Sequence, residues 1–270
     1  MDVPTLFFKT ILFRPYVFVF LAAFLLSAIA LIGWPRTWRF WLISWITAFV
    51  CEFSSTRNGI PFGWYFYNGS TVGQELYILN VPFMDSISFS FLLFASYCLA
   101  LLFLLPIRSG PEADCVRRLP AMRFDLPLRT SWPVFALTVL FFAFIDMVID
   151  PIALRGDRWF LGKIYYYPDP GVHFGVPLAN YVGWAVVGTI SLLIYFPLDR
   201  RLDTALPAHD PSTTHRLLLG GGLYYGVLAF NLAMTFWIGE TLQGTTGLLM
   251  FIPVTALLFL RLLTPATQSA

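Results

Sequence analysis

Charge is scarce in this sequence: Asp, Glu, Lys and Arg together make up 12 % of its 270 residues, about half the share of a soluble domain. The net charge of +2 is small and spread over many segments, which argues against nucleic acid as a partner. Cysteine is equally sparse. Cys51, Cys98 and Cys115 are odd in number and scattered, so they give neither a disulfide framework nor a metal-binding spacing. The three histidines, His173, His209 and His215, cannot furnish the many imidazoles of a membrane di-iron oxygenase. No Gly-x-Gly-x-x-Gly follows a strand pattern and no Cys-x-x-Cys-His occurs, which argues against a Rossmann nucleotide site and a c-type haem. Any reaction here has to run on carboxylates, water and aromatic surface, with no metal and no cofactor.

What the sequence has in excess is apolar surface. Hydrophobic residues reach 58 % and aromatics 18 %, and the mean hydropathy is +0.72; this is the composition of a polytopic membrane protein. Apolar runs cover 16–34, 40–56, 81–106, 132–154, 176–197, 217–238 and 247–263, each about long enough to cross a bilayer. The expectation is an all-α bundle of about seven transmembrane helices forming one membrane domain, residues 1–270. The first run ends in Trp34-Pro35-Arg36 and is long enough to span, so it reads as a retained helix. Gly222 and Gly226 have the small-xxx-small spacing of a helix contact.

Lys and Arg set the orientation. Arg36, Arg39, the group from Arg108 to Arg129, then Arg200, Arg201, Arg216 and Arg261 fall on one side. Lys9, Arg14, Arg57, Arg155, Arg158 and Lys163 fall on the other. That bias predicts an N-terminus outside, a cytoplasmic C-terminus and a cytoplasmic Ser109–Ser131 loop. The polar residues of the spans, Glu52, Asp85, Asp146, Asp150, Asn180 and Glu240, then all lie at the non-cytoplasmic end. Independent helix caps would scatter over both ends, and a charge within a span costs several kcal/mol by most estimates, so the clustering points to a shared site.

Asp146 and Asp150 are four apart and share a helix face. Each acid also has a plainer reading. Asp150 adjoins Pro151 at a helix end, although an acid there opposes the helix dipole. Glu52 has a possible ion-pair partner in Arg57, and Asp85, after Pro82, fits a dipole-favoured first turn. Glu240 borders a loop and reads as hydrated. Taken singly, Trp64, Tyr65, Tyr67, Trp159, Tyr165, Tyr166 and Tyr167 read as an interfacial aromatic belt.

Two motifs go further. One is Asp146-x-x-x-Asp150-Pro151, then Trp159, then Gly175-Val176-Pro177-Leu178-Ala179-Asn180-Tyr181-Val182-Gly183-Trp184. The other is Glu52-x-x-x-x-Arg57-x-Gly59-x-Pro61-Phe62-Gly63-x-Tyr65-x-Tyr67. Together they resemble the bacterial and archaeal membrane carotenoid-biosynthesis family, whose described members are carotenoid 1,2-hydratases, including one acting on bisanhydrobacterioruberin. Ser55 stands where the pattern leads one to expect Gly, a departure that bears on helix packing more than on chemistry.

The resemblance implies an integral protein of a prokaryotic cell membrane. It implies a cofactor-independent hydro-lyase that adds water across the terminal isoprene double bond of an acyclic or monocyclic carotenoid. Asp146, Asp150, Glu52 and Asp85 would be catalytic, and Arg57, Tyr65, Tyr67, Trp159, Asn180 and Trp184 would bind substrate. Asp146 lies a turn deeper than Asp150, about 6 Å along the axis, and is expected to protonate the alkene while Asp150 orients the water. The implied partners are the membrane-embedded carotenoid, the bilayer and other carotenoid-pathway enzymes. A carotenoid cyclase would share the protonation step. A proton-coupled transporter would instead show inverted repeats with acids near mid-bilayer.

Overall fold

A computed structural model of the protein describes residues 2–108, 121–202 and 212–263. Residues 109–120, with Cys115, Arg117 and Arg118, lie outside the described residues, as do His209 and the last seven residues. Among the described residues are nine helices: α1 (Val3–Phe13), α2 (Pro15–Ile32), α3 (Trp34–Asn58), α4 (Phe83–Leu104), α5 (Leu126–Arg129), α6 (Trp132–Ala153), α7 (Leu178–Arg200), α8 (Thr213–Trp237) and α9 (Thr241–Leu263). The seven long ones follow the seven apolar runs, which makes this a polytopic helical membrane protein.

The helix ends depart from the expected ones for local reasons. Gly33 takes φ +76° and joins α2 directly to α3, with Pro35 pre-set for the first turn of α3. The second span therefore starts at Trp34, not near Phe40. Short α1 was not expected; Arg14 separates it from α2, which opens on Pro15. Six helices are long and apolar enough to span a membrane. The exception is α3, which is 25 residues long but carries Arg36 and Glu52 inward, both buried.

α4 is the axis of the bundle. Of its apolar stretch 83 % is buried, against 17 % for α9 at the periphery. It packs on α3, α6 and α8. Its buried Ser90 and Ser96 return their hydroxyl protons to the carbonyls of Ile87 and Leu92, so they leave no donor stranded in the apolar interior. The α4–α8 contact is made through Gly220 and Gly221, where a Cβ would strike Cys98 and Leu102. Gly222 and Gly226 face open space, so the small-xxx-small reading is corrected: the adjacent pair, not the spaced one, does the packing.

The end of the bundle away from the acids is locked by charge. Asp199 of α7 accepts from Arg36 of α3 at 2.7 Å and from Arg129 of α5, and all three side chains are buried.

Candidate functional site

The site begins with two loops. Residues 59–82 join α3 to α4, and residues 154–177 join α6 to α7. Each contributes a two-residue strand, and the two pair antiparallel with Phe66 opposite Tyr166 and Tyr67 opposite Tyr165. Side chains alternate along a strand, so Tyr65, Tyr67, Tyr165 and Tyr167 project together while Tyr166 turns outward. Ring centroids within the four lie 5.4 to 6.3 Å apart. Only Trp64 and Tyr166 of the aromatic residues expected to form an interfacial belt are exposed; Tyr65, Tyr165, Tyr167 and Trp159 are buried. The belt reading fails for Tyr65, Tyr165 and Tyr167 because period-2 alternation, not membrane depth, decides where they point, and for Trp159 because its indole N–H donates inward to the Ile152 carbonyl at 3.1 Å.

Arg14, between α1 and α2, ties both loops down. Its Nε and Nη2 donate to Glu75 at 3.0 and 2.9 Å, and its Nη1 donates to the Leu161 carbonyl at 2.5 Å. Arg14 and Glu75 are fully buried as a pair. The two sequence motifs also meet. Phe62 lies against Gly183, where no Cβ would fit, and the Phe62 N–H donates to Ser55 Oγ at 2.9 Å. The hydroxyl at 55 thus fastens the loop to α3.

Beneath the four tyrosines is a partly open cavity of about 120 Å³. Its wall is mostly apolar, with Glu52 from α3, Asp85 and Ser88 from α4, Asp150 from α6, Asn180 from α7 and Asn231 from α8 as its polar groups beside the tyrosines. Tyr67 Oη lies 3.1 Å from Glu52 Oε1 and 2.7 Å from Asp85 Oδ2. Asp150 accepts from Tyr165 at 2.9 Å, from Tyr167 at 2.7 Å and from Asn180 at 2.8 Å. Burial first, then the neighbouring carboxyls, pushes the phenols of Tyr67 and Tyr165 far above the usual range; Tyr65 and Tyr167 behave alike. All four therefore stay protonated donors at neutral pH.

The expected site residues divide. Glu52, Asp85, Asp150, Tyr65, Tyr67, Trp159, Asn180 and Trp184 line this one cavity. Asp146 does not. It is fully buried behind the wall, accepts from the Asn180 amide at 2.5 Å, and leaves Oδ1 without a hydrogen-bond partner. Arg57 is off the wall as well. Five residues from Glu52 is about 140° around a helix, so the ion pair between them does not form. Arg57 instead donates to Asn80 Oδ1 at 2.8 Å and covers the Phe53 ring. Glu240 sits at the α8–α9 joint, paired with Arg155 and Arg158, outside the cavity. Tyr165 and Tyr167 were missed as site residues, although their i, i+2 spacing held the signal. Among the described residues, no group of three His, Cys, Asp or Glu side chains converges as a metal-binding set.

The carotenoid biosynthesis protein family matches residues 13–256, which takes in both loops and every polar residue of the cavity. The chain belongs to that family. A relative is the bisanhydrobacterioruberin hydratase of Haloarcula japonica, 29 % identical over 202 residues, covering 73 % of this chain and 56 % of that protein. The chain thus spans little more than half the length of that hydratase. No solved structure matches it.

Proposed function

We propose that this carotenoid-biosynthesis protein is a carotenoid 1,2-hydratase that adds water across the terminal isoprene double bond of an acyclic or monocyclic carotenoid. The observation that carries the reading is one apolar cavity holding carboxyls in two different hydrogen-bond settings. Tyr67 has a single O–H for the oxygens of both Glu52 and Asp85, so a further proton on that pair completes both contacts. Asp150 meets three donors, an environment that satisfies a carboxylate carrying no proton of its own. The first setting supplies an acid and the second a base.

Glu52 Oε2 is buried and without a hydrogen-bond partner among the described residues, so the Glu52 carboxyl is assigned as donor. Its O–H bond breaks as a C–H bond forms at the terminal alkene, leaving a tertiary carbocation that the tyrosine and Trp184 faces stabilise. The lone pair of a water closes the C–O bond, and the water's surplus proton passes to Asp150. Return of that proton to the Glu52–Asp85 pair ends a cycle that adds one water and leaves the protein unchanged. Asp146 acts through Asn180 as a positioning residue. This moves the acid role from Asp146, which is off the cavity wall, to Glu52.

The arginine-rich end carrying Arg36, Arg129 and Arg200 is assigned to the cytoplasm by the excess of positive charge. Other pathway enzymes would exchange the carotenoid with this one through the bilayer. The test is expression in a lycopene-making host grown in oxygen-labelled water. Pigment gaining one water with the solvent label supports hydration. Pigment of unchanged mass points to a cyclase, and label arriving from oxygen gas sinks the mechanism.

A further inference from the structure

The cavity has a second, aromatic wall that the hydration chemistry leaves unused. Tyr16 and Phe20 from α2, Phe230 from α8 and Trp159 from the α6–α7 loop line it. Tyr16 stacks on Phe230 with centroids 5.3 Å apart and planes within 19°. Phe20 meets the same Phe230 ring edge-on at 5.7 Å, and Trp159 lies 6.2 Å from it. Outside this group, Phe160 is half exposed and still 5.4 Å from Tyr16. Tyr16, Phe20 and Phe230 are themselves only partly buried, unlike the Phe89 and Trp184 rings deeper in.

These three partly exposed rings sit at the seam where α2 packs on α8. Both helices are long apolar spans, so an opening between them faces lipid, not water. A channel for a flexible acyl chain needs only aliphatic walls. Flat rings that can lie face-on or edge-on to a planar π-system suit a rigid, conjugated chain.

We infer that the seam between α2 and α8, framed by Tyr16, Phe20 and Phe230, parts to form a lateral portal and binding sleeve for the linear conjugated polyene of the substrate, with the reacting end reaching the carboxyls. This rests on the hydratase reading for its substrate class but makes a claim of its own about where the polyene lies.

The test separates binding from turnover. The full chain carrying Glu52→Gln is purified in detergent from lycopene-accumulating cells, and circular dichroism is read in the polyene absorption band. Lycopene held among fixed rings in a chiral site should give an induced signal. Adding Phe20→Leu and Phe230→Leu should cut that signal at least tenfold. Phe259→Leu, in the apolar groove between α8 and α9, should leave it unchanged. In the active protein, Phe20→Trp with Phe230→Trp should raise KM several-fold at constant kcat, a readout that does not depend on the leucine variants folding.

An unchanged signal in the double leucine variant, or a signal lost on Phe259→Leu, overturns the portal. So does an unchanged KM in the tryptophan variant. Lycopene bound in a Phe-dependent way by a protein that leaves its mass unaltered supports the portal and removes the hydration reading. Hydration that persists while the Glu52→Gln protein shows no induced signal does the reverse.

Discussion

At the scale of single residues, the cavity sorts carboxyls that look alike in the sequence. Glu52→Gln and Asp150→Asn remove the assigned acid and base, and each should lower hydrated pigment by roughly 10²–10⁴-fold. Asp146→Asn should cost less, about tenfold, the scale of a single lost hydrogen bond, because it touches Asn180 and not the cavity. Pigment mass at matched expression measures all three; an Asp146→Asn loss equal to that of Glu52→Gln would restore Asp146 as the acid. Arg57→Ala should leave yield unchanged, since its contacts are to Asn80 and Phe53. The tyrosines add a pH effect. Their phenols keep the proton in the folded state beyond the ordinary value of 10.0, so the folded protein holds more protons than the unfolded chain above that pH. The stability they confer is complete below pH 10 and falls as pH rises past it. Thermal unfolding in detergent should show this decline, with a shallower slope in Tyr165→Phe/Tyr167→Phe.

At the scale of elements, the spans were legible because an unbroken apolar run of membrane length admits one structure in lipid. The ends were less so: the Gly33 turn that begins α3 six residues early depends on a backbone angle, not on hydropathy. The loops over the site were the least legible. Arg14 and Glu75 are 61 residues apart in segments with no period, and nothing local announces that they pair. Only the alternation in Tyr165-Tyr166-Tyr167 was there to be read. Helix packing offers a sharp contrast between neighbours. Gly220→Leu puts atoms into Cys98 and Phe94 and should destabilise by about 1–3 kcal/mol or more, whereas Gly222→Leu meets nothing and should be silent in the same unfolding assay.

At the scale of the whole molecule, charge divides the two ends. The Arg36–Asp199–Arg129 cluster binds three helices together at one end, and Asp199→Asn would leave two buried guanidiniums facing a neutral partner. Breaking a buried pair of this kind costs about 3–5 kcal/mol, so poor membrane accumulation is the expected phenotype. The same positive end should lie inside the cell. A reporter fused at Pro120 should be active only in the cytoplasm, and one at Pro170 only outside it; the opposite pattern inverts the proposed orientation. The carboxyls of the cavity, by contrast, lie at the other end, and under the proposed hydration this imposes an order in time. A carotenoid with two identical ends can offer only one of them per visit. After the first addition it has to withdraw, turn end for end in the membrane and come back, with a new hydroxyl that prefers the surface to the bilayer centre. Singly hydrated pigment should therefore rise and decline ahead of the doubly hydrated product, and a pulse of unlabelled substrate should dilute the second addition but not the first.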